Sequence, residues 1–328
     1  MFDDCYKGKN VLITGGLGFI GSTVALRLAG FGARVTAIDS LIPEYGGNLF
    51  NLDPVKGVVT VNISDVRDRS SINYLVKGQD YLFNLAGTLS HIDSMRDPFT
   101  DLEINCVSQL RILEACRENN PQIKIVFAGT RGQYGQACYL PVDEEHPLHP
   151  ADVNGINNNA GENYHLLYSK VHGIKACSLR LTNSYGPRHQ MRHARQGVLN
   201  WFVRQVIDGQ KIRIFGDGSQ IRDTNYIDDV VDAMLLAMVT PETDGEVYNL
   251  GGEPLSLIQF VEDLIRQNGD GDYELVEFPG DLKSIEIGDY VASHEKFSRL
   301  TGWQPKVSLA EGLGATLQYY RKHKEHYW

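Results

Sequence analysis

The sequence predicts an α/β protein whose main body is a doubly wound parallel sheet, with a smaller C-terminal α/β lobe. Two observations predict it. Short β-branched apolar runs alternate with helical patterns through the first half of the chain, the arrangement that gives parallel strands with helices on both faces. The first run, Val11-Leu12-Ile13-Thr14, passes directly into the turn Gly15-Gly16-Leu17-Gly18-Phe19-Ile20-Gly21, which opens a helix. In order, the pattern predicts helix over 22–28, strand over 34–38 and further strands over 58–63, 81–85 and 123–127. A long helix is expected over 98–118, its apolar positions on two sides, then a helix over 157–172 and a strand over 176–181. Beyond that point helices are expected over 198–207 and 227–238, and a strand over 246–250. Ser256 caps a helix to about residue 267. Ser308 and Glu311 form a capping box for a final helix to about residue 320. No repeat or low-complexity linker divides the chain, so the boundary is soft: 1–180 for the first domain and 181–328 for the second.

The 328 residues carry 31 basic and 41 acidic side chains, a net charge of −10, which argues against a nucleic-acid backbone binder. No run of 18 apolar residues suggests a membrane span. The N-terminus lacks a basic region before an apolar stretch. Five scattered cysteines, Cys5, Cys106, Cys116, Cys138 and Cys177, show no CxxC pair and no zinc signature. A reduced, cytoplasmic protein without a metal is expected.

The glycine turn carries chemistry. Gly15 suits the tight turn, Gly18 lets a pyrophosphate approach the backbone, and Gly21 lets helix and strand pack closely, with the phosphates at the helix N-terminus. Asp39 ends the next strand, at roughly the twenty-residue distance such an acidic partner takes. A carboxylate there accepts ribose hydroxyls and repels a 2′-phosphate, so NAD is expected over NADP.

With these residues in place the chain resembles the extended short-chain dehydrogenase/reductase family, of Rossmann fold, which acts mainly on nucleotide sugars. Further segments carry the resemblance: Ile63-Ser64-Asp65-Val66, Asn84-Leu85-Ala86-Gly87, Phe127-Ala128-Gly129-Thr130 with Tyr134-Gly135, and the run from Arg180 to Arg188. Arg222-Asp223 ahead of Tyr226 to Ala233, and Gly302-Trp303-Gln304-Pro305, extend it. The resemblance implies an NAD wall of Gly15, Gly18, Phe19, Ile20, Gly21, Asp39, Ser40, Asp65, Val66, Leu85, Ala86 and Gly87. It implies a nucleotide-diphosphate sugar held by Asn183, Arg188, Arg192 and Arg222, and a homodimer built on the helices 98–118 and 157–172.

One departure outweighs the matches. The family carries Tyr-x-x-x-Lys ahead of an Ala-Gly-Glu turn. Ala160-Gly161-Glu162 is present, but Asn154 and Asn158 stand at the tyrosine and lysine positions. Asparagine cannot exchange a proton here. Thr130 remains to orient a sugar hydroxyl, and His91 and Tyr134 are the candidates to replace the missing base, His91 the more natural by its pKa. Arg131 and Gly132 stand where dehydratases carry an acidic pair. The leading expectation is an NAD-dependent nucleotide-sugar epimerase. The alternatives are a nucleotide-sugar dehydratase, or a protein that binds NAD and a nucleotide sugar with impaired turnover.

Overall fold

A computed structural model describes residues 2–280 and 286–328. After a short helix α1 (Phe2–Tyr6), strand β1 (Asn10–Thr14) enters the centre of a seven-stranded parallel sheet. The chain continues through α2 (Phe19–Gly30), β2 (Arg34–Asp39), β3 (Thr60–Ile63), α3 (Arg69–Leu75), β4 (Tyr81–Asn84), α4 (His91–Arg96) and α5 (Pro98–Leu102). Then come α6 (Ser108–Asn119), β5 (Lys124–Thr130), α7 (Val153–His172), β6 (Lys175–Leu181) and β7 (Asn183–Tyr185). The last part holds α8 (Val198–Ile207), β8 (Ile212–Phe215), β9 (Ile221–Tyr226), α9 (Ile227–Val239), β10 (Val247–Leu250), β11 (Glu253–Ser256), α10 (Leu257–Asn268) and β12 (Tyr273–Val276). It closes with α11 (Glu295–Thr301) and α12 (Leu309–His323).

The large sheet runs β10-β6-β5-β4-β1-β2-β3. β1 is apolar at successive positions because both faces are covered. Val11 and Ile13 face a core shared with Val24 and Leu28 of α2 and Val230 and Val231 of α9. Leu12 faces Ile112 and Leu113 of α6. β1 pairs with β2 on one side and β4 on the other, Val11 opposite Val35 and Tyr81. The winding reverses between them, and a crevice opens over the carboxyl ends of the strands.

The smaller lobe holds the sheet β11-β9-β7 and the pair β12-β8. The boundary expected at residue 180 falls at the end of β6, but the chain re-enters the large sheet beyond it: β10 pairs with β6, Val247 opposite Ser178. The anticipated capping box of Ser308 with Glu311 forms, and Ser256, expected as a cap, makes one with Gln259.

Three elements differ from expectation. The predicted helix 98–118 is α5, a π-helical turn over Glu103–Val107, and α6. The wide turn seats Asn105, whose amide holds the backbone and hydroxyl of Thr88. Strand β3, expected over 58–63, starts at Thr60 and lies at the sheet edge, so Val58 and Ile63 are exposed. Helix α7 begins four residues earlier than expected. Its cap is Asp152, whose carboxylate accepts the Gly155 N–H at 2.8 Å.

Candidate active site

A cavity of about 820 Å³ lies over the strand ends at the reversal point and runs from the glycine turn to β9. The turn has no room for side chains. Gly15 has φ +65°, and a Cβ on it would sit 2.9 Å from the Leu85 carbonyl. A Cβ on Gly21 would sit 2.2 Å from the Gly15 carbonyl. Gly18 caps α2 and donates to that same Gly15 oxygen at 3.1 Å. The open N-terminus of α2 thus faces the cavity. Asp39 accepts the Leu17 N–H at 3.1 Å and the Leu41 N–H at 2.9 Å. Burial pushes its carboxyl above the ordinary value against the pull of those two donors. Each oxygen keeps a lone pair for a ribose hydroxyl. All twelve residues of the expected NAD wall line the cavity: Gly15, Gly18, Phe19, Ile20, Gly21, Asp39, Ser40, Asp65, Val66, Leu85, Ala86 and Gly87. The cradle a Cβ would fill and the acidic end of β2 fit a dinucleotide.

Thr130 ends β5 at the cavity. Its hydroxyl accepts the Gly132 N–H at 3.2 Å and caps the 3-10 turn Arg131–Gln133. Arg131 follows in the cavity wall, its guanidinium 5.7 Å from the Tyr290 ring centroid. Burial lowers its pKa, and Arg222 adds to the effect.

Asn154 and Asn158 line the cavity too, but their amides are spent on structure. Asn154 is 2 % exposed. It donates to the Thr88 carbonyl at 2.7 Å and to Asp101 Oδ2 at 3.0 Å. Asn157 donates to the other oxygen of Asp101 at 2.8 Å. Asn158 donates back to the Asn154 carbonyl at 2.9 Å. A buried carboxylate from α5 and three amides from α7 replace any titratable pair at these positions.

Tyr134, offered by the sequence as a base, is outside the cavity wall and fully buried. Its hydroxyl donates to Asn249 Oδ1 at 2.8 Å and accepts from Arg180, which is paired with Glu162. Burial pushes the phenol up to about 12. The side chain follows β5 into the interior because the 3-10 turn rotates it away from Thr130. It ties β10 to the Arg180–Glu162 pair.

His91 is in the cavity. It opens α4, and its Nδ1 lies 2.5 Å from Asp152 Oδ2. Asp152 also lines the cavity and is 6 % exposed. Burial raises its carboxyl, but the His91 contact, the Gly155 N–H and the charge of Arg131 outweigh this and hold it below the ordinary value. Sequence reading missed Asp152. Its only local signal is a capping residue ahead of Gly155, which says nothing of a histidine 61 positions away.

Of the expected sugar-nucleotide contacts, Asn183 and Arg222 line the cavity. Arg222 is 8 % exposed, pairs with Glu286 at 2.5 Å and donates to the Gly288 carbonyl. Arg188 and Arg192 are not in the wall. Arg188 has φ +75° and lies over the Tyr319 ring at 5.5 Å, and Arg192 is exposed. The loop that follows still lines the cavity through His189, Gln190 and Ala194 to Leu199, so it is these two side chains, not the loop, that leave the wall. Arg195, from the same basic stretch, is the one that reaches the cavity, bridging Glu44 at 2.5 Å and Asp93 at 3.2 Å.

The model of the NAD-dependent epimerase/dehydratase family matches residues 11–251. The chain belongs to that family. The chain is similar to the UDP-glucose 4-epimerase of Mycolicibacterium smegmatis, 31 % identical over 315 residues that cover 94 % of this chain and 98 % of the relative. The solved UDP-glucose 4-epimerase of Thermotoga maritima, with UDP-glucose, superposes with a TM-score of 0.86 at 32 % identity, over 96 % of this chain and 99 % of that one. The Thermus thermophilus UDP-glucose 4-epimerase in complex with NAD gives 0.85 at 30 %, over 95 % and 99 %. The cofactor of this family is NAD, and the glycine cradle and Asp39 suit it.

Proposed function

We propose that this protein is an NAD-dependent nucleotide-sugar epimerase. The observation that carries the reading is the continuity of one cavity from the glycine cradle past Thr130 to Asn183 and Arg222. Such a cavity suits a sugar held against the cofactor with its nucleotide diphosphate toward Arg222. Guanidinium matches phosphate in charge and in hydrogen-bond geometry. NAD, when bound, supplies the hydride acceptor and donor. Thr130 orients the sugar hydroxyl. The walls exclude water while the sugar is a ketone, which then turns its other face.

Dehydration is disfavoured by the residue after Thr130. Elimination needs an acid and a base on adjacent carbons, and Arg131-Gly132 supplies neither. Asp39 disfavours NADP. The test is to add UDP-glucose, then other UDP- and dTDP-hexoses, to the NAD-loaded protein and follow nicotinamide absorbance and product NMR. A transient reduction with formation of an epimer is expected. Binding of the sugar with no reduction supports the binding-only alternative.

The assembly we infer is a homodimer. Ile156, Leu167 and Val171 lie on one face of α7 and are 54 %, 51 % and 61 % exposed. Phe99, on the adjoining α5, is 77 % exposed. Apolar side chains spaced this way on neighbouring helices suit a helical interface. Light scattering at micromolar concentration should give twice the chain mass, and Leu167→Asp with Phe99→Asp should give the monomer. A wild-type monomer overturns the inference. We also place the protein in the cytoplasm, a reading supported by the odd number and scatter of its five cysteines. No helix of the described residues is long and apolar enough to cross a membrane.

A further inference from the structure

We infer that His91 and Asp152 form the proton-transfer pair of this site, with His91 the catalytic residue and Asp152 its positioning residue. The inference rests on the epimerase reading above and assigns its missing base.

Three observations converge. First, the positions that would carry a base do not: Asn154 is committed to Thr88 and Asp101, and Asn158 to Asn154. Second, His91 Nδ1 is 2.5 Å from a buried carboxylate while His91 itself lines the cavity. A carboxylate accepts, so the neutral imidazole carries its proton on Nδ1 and its lone pair on Nε2. Nε2 forms no hydrogen bond with any described residue. Third, the ring is beside the residue that orients the hydroxyl. A methyl group placed on Gly132 would lie 3.1 Å from His91 Cε1 and 3.6 Å from Thr130 Oγ1. The absence of a side chain at 132 keeps the space between them open. Nucleophile-activating pairs elsewhere share this logic of a base held in one tautomer by a third group.

In the forward step the sugar O–H bond breaks and its proton goes to Nε2. NAD, when bound, would accept the hydride that leaves the carbon with the C–H electron pair, so that the C–O bond becomes C=O. The imidazolium keeps its pairing with Asp152. When the ketone is reduced on its other face, Nε2 returns the proton to oxygen. Nothing is consumed.

Asp152, the cap of α7, is paired with the ring, the charge of Arg131 acts on that same carboxylate, and Asp93 on the ring's own helix is paired with Arg195.

The test uses the NAD-loaded protein with the nucleotide sugar that gives the strongest signal above. His91→Asn should lower kcat by about 10² to 10⁴ with KM little changed, since general acid–base assistance is worth that much. Asp152→Asn keeps a capping side chain for α7 and so keeps the fold. It should lower kcat by at least about tenfold, because an amide can hold the wrong tautomer. Nitrogen NMR of labelled histidine, in the protein without sugar, should show His91 protonated on Nδ1 in wild type and a mixed tautomer in Asp152→Asn. Full turnover by His91→Asn, or an Nε2-protonated ring in wild type, overturns the pair while leaving the epimerase reading intact. A wild-type protein that reduces its NAD with no sugar in the panel overturns the epimerase reading, and the pair falls with it.

Discussion

Gly21→Ala should weaken NAD binding by about ten- to a hundredfold and lower the melting temperature. The added Cβ would lie 2.2 Å from the Gly15 carbonyl and 2.9 Å from Gly16 Cα. Both are backbone atoms that cannot swing aside as a flexible side chain would. Either α2 moves outward or the turn opens, and each removes the phosphate cradle from the helix N-terminus. Overpacking of this kind costs about 1–3 kcal/mol, and each 1.4 kcal/mol is roughly tenfold in affinity. Gly30, at the other end of the same helix, is the control: a Cβ there meets nothing within 4 Å. Gly30→Ala should bind NAD normally and be unchanged or slightly more stable. Calorimetric titration with NAD decides. An unchanged affinity in Gly21→Ala would show that the turn is not the cofactor's cradle.

The second large effect concerns the positions of the absent tyrosine and lysine. Asn154→Tyr with Asn158→Lys should destabilise the protein by about 3 kcal/mol and should not raise turnover. The Thr88 carbonyl and Asp101 Oδ2 would each lose a donor at a buried site. Each acceptor keeps one other donor, Asn105 on the Thr88 carbonyl and the Thr88 hydroxyl on Asp101 Oδ2, so the loss is one hydrogen bond to a neutral acceptor, about 0.5–1.5 kcal/mol, and one to a charged acceptor, about 1.5–3 kcal/mol. The phenol ring would also have to enter space bounded by Thr88, Ser94 and Asp101. Thermal melting and the sugar-dependent absorbance assay give the two readouts. A double variant that melts like wild type and turns over faster would mean that the α7 frame still awaits the lost pair, and the case for His91 would lose its main support.

Much of the fold was legible because its signals are local. The run Val11 to Thr14 into a glycine turn is a contiguous pattern, and so are the Ser256 and Ser308 caps. The start of α7 was misplaced because Asn154, Asn157 and Asn158 have poor helix propensity. The energy that makes them helical comes from Asp101, far away in sequence. The long helix 98–118 hides its π turn for the same reason: Asn105 is drawn inward by Thr88.

By itself the sequence determined the parallel sheet, the place and shape of the dinucleotide cradle, the acidic residue beside it, and the loss of the expected base. Each of these depends on residues adjacent in the chain or at fixed spacing along one element. Only the tertiary structure decided which titratable groups meet at the cavity. It turns Tyr134 into the interior against Arg180, seats Arg188 over Tyr319 and leaves Arg192 outside the cavity wall while Arg195 lines it, and brings Asp152 onto His91 across 61 residues. The direction in which a side chain leaves a turn, and the charge it meets there, are set by how separate elements pack. No spacing along the chain encodes them.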